Sequence, residues 1–306
     1  MDSPPDDIRT FIKDEPHKIE KVQAGRLRLI MVISLEDQMV DRLLFHHWSE
    51  TELRNCLKIP GKTGWTPIPF GYRVFNQELP RDWLATDCSS FDWTFPSWLP
   101  NALLRLRKDL SPPQSKDYWD KVYARYSQVL ERAVVRLPTG ERFIQIGTGL
   151  MKSGWFRTIS ENSAAQVLIN LLAWLRAGFE MQDFPRIWTM GDDVILAPVY
   201  SDEVQELENA LATTGIVVKQ STDAPEFGGF RISGSRVDPL YPDKHDFMLR
   251  YVEPRFAAET ARAFTMLYAL SQVEYANTVA EKIEPHSDVP RRLAAAWAHG
   301  VLSLSI

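Results

Sequence analysis

Two cysteines, Cys56 and Cys88, are all that 306 residues carry. They give no disulfide framework and no zinc spacing, and a reducing compartment suits them. No apolar run reaches the roughly 18 residues needed to span a bilayer. The opening Met1-Asp2-Ser3-Pro4-Pro5-Asp6-Asp7 is acidic and polar, so no secretion signal is expected. Internal repeats and low-complexity tracts are absent. Net positive charge is missing too, since 35 Lys and Arg face 40 Asp and Glu, a balance of −5. A passive nucleic-acid coat would be basic overall and is excluded. An enzyme that concentrates its cations along a channel is not. What is present is a core: 44% of residues are hydrophobic and ten are Trp. The length suits one large domain with several lobes, or two ordinary domains.

The chain is organised around Trp188-Thr189-Met190-Gly191-Asp192-Asp193-Val194-Ile195-Leu196. Apolar residues run into two adjacent carboxylates and out again, with Gly191 where the chain must turn. This predicts a β-hairpin with two acids at its tip. Taken alone, a solvated turn has the same signature.

A second acidic stretch is Trp83-Leu84-Ala85-Thr86-Asp87-Cys88-Ser89-Ser90-Phe91-Asp92-Trp93. A short strand ends in Asp87, and small polar residues turn the chain toward Asp92. The alternative is an Asx-type turn with both acids in water. Phe91 and Trp93 bracket Asp92 and argue that it lies against packed structure.

A third stretch opens with glycines, Gly147-Thr148-Gly149-Leu150-Met151-Lys152-Ser153-Gly154, and runs into a predicted helix over about 157–178. That helix is apolar nearly all round, which predicts burial on most faces. Yet Thr158, Asn162, Gln166 and Asn170 recur every fourth residue. Thr158 and Asn162 share a face beside the glycine loop. Buried polar groups need partners, and internal hydrogen bonds would supply them as well as a ligand would.

Near the start, residues 10–31 predict two β-prone segments around a Pro-containing turn. Arg26-Leu27-Arg28-Leu29-Ile30 alternates, so Arg26 and Arg28 fall on one face, with Lys13, Lys18 and Lys21 nearby. Such a ribbon suits a triphosphate, although a solvated basic face reads the same way. Ser34 to Leu53 predicts a helix capped by Ser34 and packed through Leu35, Met39, Val40, Leu43 and Leu44, with His46 and His47 at its wet end. Residues 56–79 read as loop. Within them Pro60-Gly61-Lys62-Thr63-Gly64 lacks the spacing and following helix of a phosphate loop.

Helices are expected over 96–110 and 114–135, and a hairpin over 133–146 turning at Pro138-Thr139-Gly140. After the acidic hairpin come a helix over 202–213, a Gly215 cap and a strand over 216–219. Glu226–Ile232 and Asp246–Tyr251 could pair as a further hairpin. From Pro254 the pattern is helical, over 256–280 and 288–304.

If the strands bearing Asp87, Asp192 and Asp193 are neighbours in one antiparallel sheet, three carboxylates converge. Unneutralised, they repel and raise one another's pKa. Two Mg²⁺ ions would resolve this and form a clamp for phosphoryl displacement.

The order of features resembles the motif set of viral RNA-dependent RNA polymerases. It runs basic ribbon, Asp-x4-Asp, Ser-Gly-x3-Thr-x3-Asn, Gly-Asp-Asp, then a helix leading to a Lys, over about residues 10–232. Phe11-Ile12-Lys13-Asp14-Glu15-Pro16-His17, Arg26–Ile30 and Ser34-Leu35-Glu36-Asp37-Gln38 most resemble the sobemovirus and polerovirus branch.

The resemblance implies an α+β right-hand polymerase: an antiparallel palm sheet packed on helices, reduced fingers and a helical thumb. Its boundaries would be partial fingers at 1–80, palm at 81–253 with a finger insertion at about 96–146, and thumb at 254–306. It implies RNA-directed RNA synthesis from ribonucleoside triphosphates with two Mg²⁺, for which Mn²⁺ can substitute. Asp87 and Asp192 resemble the primary metal ligands and Asp193 an auxiliary one. Asp92 and Asn162 resemble the pair that recognises the ribose 2′-hydroxyl, with Thr158 in support. Ser153 and Gly154 would lie in a mobile loop near the incoming nucleotide. Lys219 resembles the residue that protonates pyrophosphate, and Lys13, Lys18, Arg26 and Arg28 would take the triphosphate.

Gly228-Gly229 departs from the family pattern, which carries Cys-Ser there and contacts the primer strand. The implied partners are an RNA template, nascent RNA and ribonucleoside triphosphates. A second polypeptide, or a longer chain, is expected to supply the N-terminal fingers. The implied location is the host cytoplasm, in a membrane-associated replication complex. Two alternatives stand beside this reading. One is a reverse transcriptase, against which Asp92 and Asn162 argue. The other is a polymerase-like RNA-binding subunit that needs a partner chain for activity.

Overall fold

The computed structural model describes residues 5–272 and 282–302. In chain order come β1 (Ile8–Ile12), α1 (Ile19–Gln23), β2 (Leu29–Val32), α2 (Leu35–Arg54), α3 (Gly71–Glu78), β3 (Leu84–Cys88), α4 (Leu99–Leu110) and α5 (Lys116–Leu130). Then follow β4 (Val134–Arg136), β5 (Arg142–Ile144), α6 (Thr158–Arg176), β6 (Arg186–Met190), β7 (Asp193–Ala197), α7 (Val204–Ala212) and β8 (Val218–Thr222). The chain ends with β9 (Glu226–Phe227), β10 (Phe230–Ser233), β11 (Arg236–Pro239), α8 (Pro242–Arg250), α9 (Ala257–Leu267) and α10 (Arg291–Ala298). The class is α+β, as expected. Contacts divide the chain into two units. One holds Met1–Thr63, Thr86–Val194 and Tyr200–Ser221; the other holds Gly64–Ala85, Ile195–Val199 and Thr222–Ile306.

In the first unit, one four-stranded sheet has the order β2-β1-β4-β5. β1 pairs with β2 antiparallel, Arg9 opposite Val32 and Ile12 opposite Leu29. β4 joins β1 in parallel and β5 antiparallel, so the hairpin expected at 133–146 is present. The ribbon is shorter than expected. Residues 19–23 form α1, and Arg26 lies beyond it, its N–H bonded to the Lys21 carbonyl at 2.9 Å. Arg26 and Arg28 therefore precede the strand, although Lys13 N–H still bonds the Arg28 carbonyl at 2.8 Å.

Ser34 caps α2 as expected, its Oγ accepting from the Asp37 N–H at 3.2 Å. Of the residues expected to pack, Leu44 is buried and Val40 half-buried, but the other three are not. Leu35, Met39 and Leu43 are 71%, 58% and 85% exposed, and the buried residues are Asp41, Leu44, Phe45 and Trp48. At about 100° per residue the two stripes lie roughly half a turn apart. The helix is turned by a buried ion pair. Arg125 grips Asp41 with two bonds, of 2.7 and 3.0 Å, and Trp155 Nε1 donates to the same carboxylate at 3.1 Å. Phe45 then meets Tyr126 and Trp155 edge-on at 5.9 and 6.2 Å.

Helix α6 is buried on most of its faces, as expected, and the polar repeat from Asn162 onward is buried with it. Asn162, Gln166 and Asn170 are 5%, 1% and 1% exposed, while Leu175 is 46% exposed. Its root is a buried charge quartet of Arg107, Arg157, Glu52 and Glu161. Arg157 Nη2 bonds Glu161 at 2.9 Å and Arg107 Nη1 bonds Glu52 at 2.5 Å. Two charges of each sign cancel, which makes the desolvation tolerable.

The remaining sheet has the order β6-β7-β3-β8. β6 and β7 are joined by Gly191 and Asp192 alone, so they run antiparallel as the expected hairpin. Gly191 takes φ +65°, a left-handed value suited to glycine. Pro60–Lys62 runs beside β6, with Lys62 N–H on the Thr189 carbonyl at 2.8 Å and Lys62 Nζ 4.3 Å from the Trp188 ring centre. That stretch is an edge pairing and not a phosphate loop.

In the second unit, residues expected as loop include α3. Tyr72 and Phe75 bury one of its faces, and a Cβ at Gly71 would collide with the Thr66 carbonyl. Phe75 and Phe227 pack on Trp65 at 6.5 and 5.6 Å. The expected pairing of 226–232 with 246–251 is not formed. Gly228 and Gly229 have φ of +61° and +81°, the two-residue turn that folds β9 back onto β10, and β10 pairs next with β11. Residues 246–250 belong instead to α8, where Asp246 pairs with Arg250 one turn on. Part of the expected 256–280 helix is α9; 273–280 lie outside the described residues, as do 303–304 of the other expected helix. α10 covers 291–298 of that second span.

Candidate active site

The adjacency of β7 and β3 brings the acids near one another. Asp87 stands at the end of β3, Asp192 at the hairpin tip and Asp193 as the first residue of β7. The charge of Asp87 acts on both hairpin acids. Burial pushes the Asp193 carboxyl up to about 6, and the charges of Asp192 and Asp87 add to that. Asp192 is also raised, first by burial. Its own N–H pulls it down, Asp87 raises it, and Arg28 and Lys219 lower it. Neighbouring carboxylates that disfavour each other's ionisation invite a cation.

One cation is already there. Lys219, on β8, donates from Nζ to Asp87 Oδ2. Among the described residues, no three of His, Cys, Asp and Glu stand close enough together to ligate an ion as placed. Asp87, Asp192 and Asp193 thus interact through their charges and do not stand as a ready-made ligand set, and Lys219 occupies one carboxylate. The donor set itself, all carboxylate oxygen, fits Mg²⁺ or Mn²⁺.

Beside the acids, Asp92 follows β3 in a turn whose Ser90 has φ +51°. Phe91 is buried and Trp93 is 52% exposed, so one flanking ring packs and the other does not. Asn162 Nδ2 donates to Asp92 Oδ1 at 2.8 Å. Burial raises the Asp92 carboxyl, the Asn162 bond lowers it, the Asp192 charge raises it and Arg28 lowers it. Arg28 therefore acts on both Asp92 and Asp192. It also lies 3.6 Å from Glu15, which Lys13 meets at 3.0 Å. Lys18, at the head of α1, and Arg26 are exposed.

Ser153 and Gly154 are fastened to β2. Ser153 Oγ accepts from the Met31 N–H at 3.0 Å, and Gly154 N–H bonds the Met31 carbonyl at 2.9 Å. Thr158 opens α6 with its Oγ1 on the Lys152 carbonyl at 2.5 Å.

Two residues of α6 position the hairpin and were not assigned roles from sequence. Ser163 Oγ accepts from the Gly191 N–H at 2.9 Å, and its carbonyl accepts from Thr189 Oγ1 at 2.9 Å. Gln166 Nε2 reaches the Asp192 carbonyl at 3.4 Å. The four-residue polar repeat signalled Gln166; Ser163 lies off that repeat and nothing signalled it.

Comparisons with known proteins fall on the same region. The family model described as Viral RNA-dependent RNA polymerase matches residues 5–231. Protein P1-P2 of pea enation mosaic virus-1 is 34% identical over 206 residues, 62% of this chain and 17% of that protein. The RNA-directed RNA polymerase of mushroom bacilliform virus is 32% identical over 234 residues, 74% of this chain and 54% of that protein. The chain thus spans about half of one relative and about a sixth of the other. Matching replicases come from poleroviruses, sobemoviruses and related viruses. Among solved structures, a Sicinivirus 3Dpol RNA-dependent RNA polymerase has the same fold at TM-score 0.71 and 20% identity, covering 95% of this chain and 67% of that one.

Proposed function

This chain belongs to the viral RNA-dependent RNA polymerase family, and from that premise we propose that it carries the catalytic site of an RNA-directed RNA polymerase. The reaction is template-directed transfer of a nucleotidyl group from a ribonucleoside triphosphate to the 3′-hydroxyl of nascent RNA. The observation that carries this reading is the raised carboxyls of Asp192 and Asp193 at the β6–β7 hairpin, both acted on by the charge of Asp87 on the neighbouring strand, beside the Asp92–Asn162 pair.

In this reading Asp87 and Asp192, with Asp193 in support, hold two Mg²⁺ ions, or Mn²⁺ in their place. The ions supply activation of the attacking hydroxyl and neutralisation of the triphosphate. Arg28, with Lys13, Lys18 and Arg26, binds the phosphates; a fixed guanidinium suits that task. Asp92 and Asn162 orient the ribose through its 2′-hydroxyl, which distinguishes RNA precursors from DNA precursors. Thr158 supports the start of α6, and Ser153 and Gly154 border the nucleotide. Lys219, once released from Asp87, gives a proton to the departing pyrophosphate oxygen.

Residues 1–80 serve as partial fingers, 81–253 as palm and 254–306 as thumb. Template RNA is the further partner, and a second polypeptide or a longer chain completes the fingers. Replication proceeds in the host cytoplasm, in a membrane-associated complex. Among the described residues, no helix is long and apolar enough to cross a membrane, so the association would come through other means.

The test is extension of a labelled RNA primer–template with Mg²⁺ and the four ribonucleotides, with Asp192→Ala beside the wild type. Extension by the wild type alone supports the reading. Extension by both removes the hairpin acids from the chemistry. Absence of extension from folded wild type, even after the N-terminal region of a relative is supplied, overturns it.

A further inference from the structure

The glycine-rich loop ahead of α6 is tied by a buried amine. Lys152 is 0% exposed. Its Nζ donates to Gln145 Oε1 and, at 2.7 Å, to the Leu150 carbonyl. Gln145 Nε2 in turn serves the carbonyls of Leu130, Gly147 and Gly149 at 2.7, 2.9 and 2.9 Å. The loop cannot spread without breaking this knot. Gly149 is pressed close as well, since a Cβ there would stand 2.6 Å from the Phe95 carbonyl.

The knot is wired to both members of the Asp92–Asn162 pair. Met151, also 0% exposed, gives its N–H to the Asp92 carbonyl at 2.8 Å. The Lys152 carbonyl receives Thr158 Oγ1, one helical turn ahead of Asn162 on α6. One residue thus lies between the two halves of the pair, reaching Asp92 through Met151 and Asn162 through Thr158.

We infer that Lys152 is a positioning residue that, with Gln145, sets the geometry of Asp92 against Asn162 and so the strength of ribose discrimination. The inference rests on the proposed reading that this pair meets the 2′-hydroxyl. Lys152 has no place in substrate contact, being wholly buried. Burial also pushes its ammonium down to about 7, so an uncharged side chain of similar length is a fair replacement in the same space.

The experiment compares wild type, Lys152→Met, Gln145→Leu and the double variant. Single-nucleotide incorporation of GTP and dGTP gives the ribose preference, and hydrogen exchange gives the protection of the Gly149 and Met151 amides. Lys152→Met should lower the GTP-to-dGTP ratio by about tenfold or more, because small displacements of a positioning group are costly. A merely structural role would slow both nucleotides alike and leave the ratio in place. Gln145→Leu cuts the same knot from its more exposed side and stands in if Lys152→Met fails to fold. The double variant should be no worse than the worse single, as expected for one coupled unit.

An unchanged ratio in both single variants overturns the inference. Failure of the underlying reading looks different: Asp92→Ala itself would leave the ratio unchanged, or the wild type would incorporate nothing. The exchange measurement then decides the positioning claim. Faster exchange at Gly149 and Met151 with α6 still protected supports it, and unchanged exchange overturns it.

Discussion

Lys219 and Asp87 face each other across β8 and β3, the ammonium donating to Asp87 Oδ2. The carboxylate assigned to a metal ion thus has a protein cation on it. Their side chains are 60% and 44% exposed, so the pair is weak and exchangeable. Lys219→Met should therefore tighten Mn²⁺ binding by up to about fivefold, the worth of an exposed ion pair. Electron paramagnetic resonance of free Mn²⁺ reads this without any turnover. The same change should slow incorporation. Unchanged affinity would mean that Asp87 is not a ligand.

Asp92→Ala should lower the preference for GTP over dGTP by about tenfold or more, while Mn²⁺ binding stays near the wild-type value. A site that hydrogen-bonds a hydroxyl loses discrimination when the partner goes. Asn162→Ala should do the same, and the two changes should not add. Additive effects would show that the two side chains act separately.

The acids carry a stability signature. The Asp193 carboxyl is raised in the fold to about 6 from an ordinary 3.8. The folded protein therefore holds this proton more tightly than the unfolded chain does. Stability from this group is full below pH about 4, falls as pH rises toward about 6 and stays reduced above. In chelator, Asp193→Asn should raise the melting temperature relative to wild type at pH about 7.5 by more than it does at pH about 4.5. An equal difference at the two pH values would contradict this.

The buried quartet predicts a loss of another kind. Arg157→Met leaves Glu161, itself 0% exposed, short of a cation, and should cost about 3–5 kcal/mol in urea unfolding. The exposed pair Lys116–Asp120 is the control, because its loss should leave the urea midpoint close to that of the wild type.

The sequence marked what short-range chemistry decides. The hairpin at Gly191, the Ser34 cap and the start of α6 each follow from a few neighbouring residues. The α+β class and the polymerase family were legible because several motifs occur in one order. The facing of α2 was not. Leu35, Met39 and Leu43 sit at helical spacing, yet the helix is oriented by Asp41 and its partner Arg125, 84 residues away. Nothing local announces that a carboxylate will be the buried side. Similarly, residues 246–251 have an apolar pattern acceptable to strand or helix, and β10 had already taken β9 and β11 as neighbours. In the site, Asp92 and Asn162 were visible as motif residues, whereas the Lys219–Asp87 contact depends on strand order across the sheet. α3 could have been found, since Tyr72, Phe75 and Leu79 keep helical spacing.

Gly154 carries its N–H on the Met31 carbonyl and leaves no room there for a Cβ, which would also stand 3.2 Å from Val32 Cα. All glycine codons share their first two bases. Any base change at those positions therefore places a side chain between the loop and β2 or ends the chain, and third-base changes are silent. At this codon a base change is therefore silent, ends the chain or puts atoms where the fold has no room for them. Among natural isolates closely related to this chain, its variation should be confined to the third base.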